Sequence, residues 1–280
     1  MSLPLIFING KQTHDHSVLD RAFMFGDGVF ETLLCLDARL PLWDLHKQRL
    51  MLGCQQLHIH LELSHLEKLL SDALAQVGLD NAVCKITVTR GVGGRGYGVD
   101  NATEPTIVIG FFSYPDHIEA LSQSGVSLGI CTHRLALSAE LAGIKHLNRL
   151  DNVLAKRECQ SRGLEDGVVC DQQGGVIEAT SSNLFLRFDD QWITPEISQS
   201  GVKGITRRVI LEMLAPELKL PVVEGLVAVE QLADVDEIFI CNSVNGIVPV
   251  TGVGDVSLTI GLQTRGLQNA YKRLLKEKQG

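Results

Sequence analysis

The stretch LAGIKHLNRLDNVLAK, residues 141–156, places Lys145 just ahead of a run with helical spacing. Leucine, isoleucine and alanine residues surround this lysine, although most lysine side chains in proteins are solvated at the surface. A surface lysine is the ordinary interpretation of such a position. The alternative, a lysine held in a site for its amine, depends on the motifs found elsewhere in the chain.

Length and composition favour a two-domain α/β protein. The chain has 280 residues, of which 45% are hydrophobic and 21% charged, with a formal net charge of −8. A chain of this length buries a large core and exceeds the usual size of one domain. The negative charge offers no general attraction for nucleic acid or an anionic membrane surface, so neither is an expected partner.

The sequence also predicts the compartment. The first residues, MSLPLIFINGKQ, lack the basic flank and apolar run of a signal peptide. No segment approaches the roughly 20 apolar residues of a membrane span. The seven cysteines are scattered without a CxxC pair, which is typical of reduced, buried thiols. We therefore expect a cytoplasmic protein without disulfides or a metal site.

Hydrophobic patterning divides the chain at a polar stretch. We expect an N-terminal α/β domain over residues 1–115, a linker over 116–125 and a C-terminal domain over 126–280 that carries Lys145. The first half alternates strand-like runs with two helical segments near 44–57 and 64–77. The second half contains a helix near 148–162, several strands and a final amphipathic helix.

The glycine-rich stretch TRGVGGRGYG, residues 89–98, contains a GxGxxG pattern at Gly91, Gly93 and Gly96. A dinucleotide site needs a helix that opens on the glycines, but a polar loop containing proline follows here, so that interpretation is rejected. Arg95 could bind a carboxylate in two-pronged fashion. The alternative is a solvated loop with an idle arginine.

Three other positions carry residues that could bind a ligand, but the local sequence does not distinguish a functional role from a structural one. Gly204 begins the run GITRRVILEML, whose first amides and hydroxyl suit a phosphate at a helix start. Arg49 shares a helix face with His46 and could point inward or form a surface ion pair. Glu178 follows a strand, where it could be held out of water beside a cation or be an ordinary strand-end glutamate.

Taken together, seven motifs resemble the fold-type IV enzymes of pyridoxal 5′-phosphate, the branched-chain and D-amino-acid aminotransferase superfamily. The motifs are FGDGVFET, HKQRL, TRGVGGRGY, AGIKHLNRLDN, IEATSSNLF, KGITRR and CNSVNGIVPV. The match spans nearly the whole chain. It implies a two-domain α/β fold with a smaller N-terminal α/β sandwich and a larger, barrel-like C-terminal domain.

The resemblance also implies roles for individual residues. Lys145 is similar to the lysine that binds the aldehyde of pyridoxal phosphate and acts as acid and base, with an amine made available by a desolvated site. Glu178 matches the carboxylate that pairs with the pyridine nitrogen. The positions that match the family's phosphate-binding residues are Arg49, Gly204, Ile205, Thr206 and Ser243.

Within this superfamily, GGRGY and AGIKHLNRL are most similar to the 4-amino-4-deoxychorismate lyases, which form 4-aminobenzoate and pyruvate in folate biosynthesis. Arg95 stands where D-amino-acid aminotransferases carry an arginine for a substrate carboxylate. Tyr97 replaces their partner histidine, and Phe30 stands where they have tyrosine. We therefore expect a small carboxylate substrate that contacts Arg95, Tyr97 and Phe30.

The resemblance further implies a homodimer with active sites near the interface, because in the family this loop reaches over the neighbouring subunit's site. A D-amino-acid or branched-chain aminotransferase is the first alternative activity. The second alternative is a catalytically silent protein of the same fold that binds a small ligand.

Overall fold

The computed structural model describes residues 4–78, 81–100, 102 and 104–278. The chain divides into two compact units. The first comprises the chain up to Pro115, the segment Ile144–Asn148 and the residues from Leu275 onward, and the second comprises Asp116–Gly143 and Arg149–Leu274.

The first unit is an antiparallel sheet covered by helices. Its strands are β1 (Leu5–Ile8), β2 (Lys11–Gln12), β3 (Gly28–Leu36), β4 (Asn81–Thr89) and β5 (Thr106–Ser113), and its helices are α1 (Arg21–Phe25), α2 (Trp43–Gln56) and α3 (Leu63–Val77). The strands lie in the order β2–β1–β5–β4–β3. Leu33, Ile109 and Phe111 of the sheet share one core with Leu50 of α2 and Leu66 of α3. This is the expected α/β sandwich.

The second unit holds the remaining elements. Its strands are β6 (Val126–Leu135), β7 (Asp166–Asp171), β8 (Val176–Ala179), β9 (Asn183–Phe188), β10 (Gln191–Pro195), β11 (Val222–Gly225), β12 (Glu237–Asn242), β13 (Gly246–Val253) and β14 (Val256–Ser257). Its helices are α4 (Ile118–Ser124), α5 (Leu150–Ser161), α6 (Ile205–Val209), α7 (Ala215–Glu217) and α8 (Leu262–Glu277), of which the residues from Leu275 onward group with the first unit. A π-helical turn, Ile210–Leu214, joins α6 to α7.

Strand pairing closes part of this second sheet on itself. The strands run in the order β9–β12–β13–β6–β7–β8, and β8 pairs with β9 again where Glu178 lies opposite Asn183. The described residues thus form a closed ring of strands whose interior is filled by apolar side chains such as Val168, Leu184 and Val250. The expected barrel-like domain is confirmed.

The division of the chain differs from the sequence-based boundaries in two places. Residues 116–125, expected as a linker, contain α4, because Ile118 and Ser122 are buried one helical turn apart. The segment with Lys145, expected in the C-terminal domain, groups with the first unit. Its backbone pairs with β3, since Val29 and His146 form an antiparallel bridge.

All seven cysteines are buried and carry free thiols. Within the described ranges, no helix combines the length and the apolar character that crossing a membrane requires.

Candidate active site

A buried ion pair joins β3 to α2 in the first unit. Arg49 donates from Nε to Glu31 Oε1 over 2.8 Å and from one Nη to Oε2 over 2.6 Å. His46, one helical turn earlier, has its Nδ1 2.6 Å from the same Oε2. Glu31 and His46 are each 1% exposed. Arg49 therefore points inward, and Glu31 orients its guanidinium.

Charge within this cluster fixes the protonation states. Burial alone would raise the pKa of Glu31, but the charge and hydrogen bonds of Arg49, with those of His46, lower it to about 2. Burial lowers the pKa of His46, and the charges of Arg49 and Lys145 act in the same direction. At neutral pH Glu31 is therefore ionised and the imidazole is neutral. Since Glu31 then only accepts, the imidazole proton lies on Nδ1.

Lys145 lies in a segment that is hydrogen-bonded to the start of β3. The Phe30 amide donates to the Lys145 carbonyl, and the Leu147 amide donates to the Gly28 carbonyl, each over 2.9 Å. The half-buried Lys145 side chain places Nζ 4.5 Å from the centroid of the Phe30 ring. This pairing brings together two sequence-predicted residues, with an ammonium over an aromatic face.

In the second unit, barrel closure positions Glu178. Its Oε2 accepts a hydrogen bond from the Val202 amide over 2.9 Å, and its Oε1 accepts one from Asn152 Nδ2 over 3.3 Å. Its cross-strand neighbour Asn183 accepts from the Gly204 amide over 3.1 Å and donates to the Val202 carbonyl over 2.8 Å. The closing pair of the barrel therefore holds residues 202–204 from two sides. Glu178 itself is 5% exposed.

Two glycines permit this close approach. Gly201 has φ +84°, and a Cβ there would lie 2.6 Å from Ile177 Cγ2. At Gly204, a Cβ would lie 2.0 Å from Asn183 Oδ1. A side chain at either position would displace the backbone that meets Glu178 and Asn183.

The helix that follows begins at Ile205, with Gly204 as its N-cap and no side-chain cap from the described residues. Thr206 in its first turn is fully buried, and its hydroxyl lies 3.2 Å from the hydroxyl of Tyr271 on α8. Burial raises the pKa of Tyr271 to about 12, so the phenol stays protonated and can donate. Thr206 thus has a protein partner that the sequence did not indicate.

Ser243 lies in the turn after β12. Asn242 shapes this turn, because its Oδ1 accepts from the amides of Val244 and Asn245 over 2.9 and 2.7 Å. Its Nδ2 donates to Ser182 Oγ over 2.9 Å. The turn is therefore hydrogen-bonded to the connection between β8 and β9.

The expected substrate residues Arg95 and Tyr97 lie on an exposed loop of the first unit. Tyr97 is 84% exposed. Arg95 is exposed as well, and it forms no hydrogen bond or ion pair with the described residues. Phe30, the third expected substrate residue, instead lies on β3 beside Lys145.

The structure thus gathers the candidate residues into two sets. The first unit holds Lys145, Phe30 and Arg49, and the second holds Glu178, Gly204, Ile205, Thr206 and Ser243. Sequence reasoning missed the polar residues that orient them, namely Glu31, Asn152, Asn183, Asn242 and Tyr271. The spacing of His46 and Arg49 was the only signal for any of these networks. No cluster of His, Cys, Asp or Glu able to hold a metal ion occurs among the described residues.

Comparison with known proteins agrees with this architecture. The family model for class IV aminotransferases matches residues 28–253. The aminodeoxychorismate lyase of Vibrio harveyi is 37% identical over 94% of this chain and 98% of its own. A putative branched-chain-amino-acid aminotransferase of Methanocaldococcus jannaschii is 32% identical over 95% of each chain.

Among solved structures, the crystal structure of 4-amino-4-deoxychorismate lyase from Pseudomonas aeruginosa superposes with a TM-score of 0.90. That protein is 36% identical, and the match covers 96% of this chain and 98% of the other. The resemblance to the fold-type IV enzymes is confirmed, and this chain belongs to the class IV aminotransferase family.

Proposed function

We propose that this protein is a pyridoxal-phosphate-dependent 4-amino-4-deoxychorismate lyase, which forms 4-aminobenzoate and pyruvate for folate biosynthesis. The two lyases described above match nearly the full length of this chain and of their own. The observation that carries the proposal is the placement of Phe30 against Lys145. A phenyl ring at this position lacks the hydroxyl that D-amino-acid aminotransferases would direct at a substrate carboxylate.

The donor set of this chain fits pyridoxal phosphate. Glu178 is an oriented carboxylate that suits a protonated pyridine nitrogen, because amide donors hold both of its oxygens. The helix start after Gly204, which no side chain of the described residues caps, offers the backbone amides of its first turn to a phosphate. When bound, the cofactor supplies an electron sink for the carbanion formed on the substrate.

We assign the phosphate contacts to the residues that match those of the family. Arg49 supplies positive charge, and Glu31 fixes the plane of its guanidinium. Ile205 and Thr206 supply amides, and Ser243 supplies a hydroxyl from the turn that Asn242 shapes. These contacts would hold the phosphate of the cofactor independently of Lys145.

Lys145 carries out the proton transfers. Its Nζ would hold the aldehyde of pyridoxal phosphate and, as a free amine, would serve as the proton carrier. The freed Nζ takes the proton from the amine-bearing carbon of the substrate. Enolpyruvate leaves from the adjacent carbon, and the ring becomes aromatic. A placed proton carrier of this kind contributes on the order of 10²–10⁴ in rate.

A parallel assay tests the activity. The holoenzyme is incubated with 4-amino-4-deoxychorismate, and separately with D-alanine plus 2-oxoglutarate or with a branched-chain amino acid plus 2-oxoglutarate. We expect 4-aminobenzoate and pyruvate from the first reaction only. Glutamate formation without 4-aminobenzoate would assign an aminotransferase, and inactivity on all substrates would favour a silent binding protein.

We also propose a cytoplasmic homodimer. Seven free cysteines are typical of a reducing compartment. Phe23, Leu150 and Leu262 are 77%, 76% and 90% exposed in the single chain, and burial against a second copy would remove these apolar side chains from water. Light scattering measures the mass directly. Mixing Arg95→Ala with Lys145→Ala protein should restore activity in hybrid dimers if Arg95 serves the neighbouring subunit.

A further inference from the structure

The glycine loop comprises residues 91–98, and neither steric crowding nor a left-handed backbone restricts three of its glycines. A Cβ at Gly94, Gly96 or Gly98 would meet no heavy atom within 4 Å, and none of the three has a positive φ. Neither crowding nor a left-handed conformation therefore requires glycine there. Glycine loses more conformational entropy on ordering than any other residue, so a defined loop conformation here needs a restraint from outside the loop.

Arg21 at the start of α1 supplies such a restraint. Its Nη1 donates to the carbonyls of Gly96 and Gly98 over 3.0 and 3.1 Å, and its Nη2 donates to the carbonyl of Tyr97 over 3.1 Å. Three successive carbonyls thus converge on one guanidinium that is 3% exposed. A Cβ at Gly93 would lie 2.9 Å from Arg21 Cδ, so glycine at this position leaves room for the arginine.

Asp27 holds the guanidinium in place. Its Oδ2 accepts from Arg21 Nε over 2.8 Å, and Arg90 donates to both of its oxygens over 2.8 and 3.0 Å. Burial alone would raise the pKa of Asp27, but the two arginines lower it. Arg90 also donates to the carbonyls of Leu57 and His58. The Arg21 fork is therefore anchored to the body of the first unit.

Arg21 also contacts Phe25, whose ring packs against the exposed ring of Tyr97. The Arg21 guanidinium lies 4.9 Å from the centroid of the Phe25 ring, and the Phe25 ring lies 5.2 Å from that of Tyr97. Arg21 thus contacts the backbone of residues 96–98 directly and supports the aromatic ring against which Tyr97 packs.

We propose that Arg21 is the positioning residue of the glycine loop, and that its fork presents Arg95 and Tyr97 to a carboxylate-bearing substrate. The substrate part of this inference rests on the proposed function, whereas the restraint of the loop does not. Arg21 is not placed in contact with substrate. Its loss should therefore weaken substrate binding more than it slows the chemical step.

Limited trypsin digestion of the holoenzyme tests the restraint independently of activity. Cleavage after the exposed Arg95 is followed by mass spectrometry in wild type, Arg21→Met, Arg21→Lys and Arg90→Met. Because cleavage needs an opened loop, Arg21→Met should raise its rate on the order of tenfold. Arg90→Met is the matched control, since it also removes a partner of Asp27 but touches none of the three loop carbonyls.

Steady-state kinetics with 4-amino-4-deoxychorismate then measure the effect on substrate. Arg21→Met should raise KM by about tenfold, the order expected for weakening one charge-assisted contact, with kcat and cofactor affinity nearly unchanged. Arg21→Lys should lie between wild type and Arg21→Met in both measurements, because a lysine offers a point charge without the fork. It also replaces Arg21→Met if that variant fails to fold.

The outcomes separate the two proposals. Equal cleavage rates in wild type and the Arg21 variants, or an equal rise in Arg90→Met, would overturn the positioning role. Full protection in Arg21→Lys would overturn the requirement for a fork. A wild-type enzyme that does not form 4-aminobenzoate would reject the proposed function and the substrate part of this inference, and digestion would still decide the restraint of the loop.

Discussion

Glu178 and Thr206, which are expected to hold the cofactor, and Arg95 and Tyr97, which are expected to meet the substrate, lie in opposite environments. Glu178 is 5% exposed and Thr206 is fully buried, whereas Tyr97 is 84% exposed. The buried residues have side-chain hydrogen bonds that set their orientation, while the glycine loop is held through its backbone carbonyls. Buried networks are expensive to disturb, and exposed side chains on a restrained backbone are easily exchanged. Burial thus distinguishes two of the residues proposed to hold the cofactor from two of those proposed to meet the substrate.

Lys145→Ala is expected to have the largest effect, because it removes the residue proposed to hold the cofactor and to transfer protons. Turnover should fall on the order of 10⁴-fold or more, because the substitution removes both the covalent anchor and the proton carrier. The protein should still fold. Borohydride reduction and mass spectrometry should place the reduced cofactor on Lys145 in the wild type. Lys85→Ala is a matched control, because Lys85 Nζ lies 5.0 Å from the same Phe30 ring. Labelling at Lys156 or Lys203 instead would contradict the assignment.

Glu178→Gln should retain the cofactor and lower kcat by about a hundredfold or more, because a neutral amide does not favour the protonated pyridine nitrogen. Absorbance spectra measure cofactor content, and single-turnover kinetics measure the chemical step. Glu165→Gln serves as the control, because among the described residues this carboxylate accepts a hydrogen bond from the Ser127 amide alone. Near wild-type turnover in Glu178→Gln would reject the partnership with the ring.

Glu31→Gln probes the buried ion pair through stability. The pKa of Glu31 is lowered from 4.5 to about 2, so its ionisation stabilises the fold above about pH 4.5, and this contribution is lost as the pH falls from 4.5 toward 2. The variant should lose on the order of 3 kcal/mol of unfolding free energy at pH 7. Denaturant titrations should show the deficit shrinking below pH 4.5. The half-exposed Glu67, paired with Lys47, provides Glu67→Gln as a control with little effect.

Arg95→Lys tests an exposed residue of the glycine loop. A lysine cannot grip a carboxylate with two parallel hydrogen bonds, so KM for 4-amino-4-deoxychorismate should rise by about tenfold. Cofactor affinity and thermal stability should not change, since Arg95 is exposed and forms no hydrogen bond or ion pair with the described residues. An equal loss of cofactor affinity would show that Arg95 helps to hold the cofactor.

Gly98→Ala is expected to have the smallest effect, and a favourable one. An added Cβ meets nothing within 4 Å, so the substitution should stabilise the protein by about 0.4–1 kcal/mol by reducing the freedom of the unfolded chain. Trypsin cleavage after Arg95 should slow. Gly93→Ala should do the opposite, because its Cβ would crowd Arg21. Identical responses of the two variants would show that the loop is not held by that arginine.

Most regular elements could be predicted because their signals are local. The helical spacing of apolar residues in α2 and the run of β-branched and apolar residues in β4 are present in the sequence whatever the rest of the chain does. Residues 116–125 show the limit of this reasoning, because a polar composition indicated a linker where α4 forms. The burial of Ile118 against the second unit decided that helix, and composition does not report burial.

The family and the candidate residues could be predicted from the sequence, since the family's motifs are short, ordered and independent of one another. The groups that orient those residues become visible in the fold alone. Glu31 and Arg49 are 18 positions apart, Glu178 and Val202 are 24 apart, and Arg21 and Gly96 are 75 apart. Such pairs form because folding encloses charged and polar groups that must then find partners. No local pattern records which distant backbone group or side chain becomes that partner.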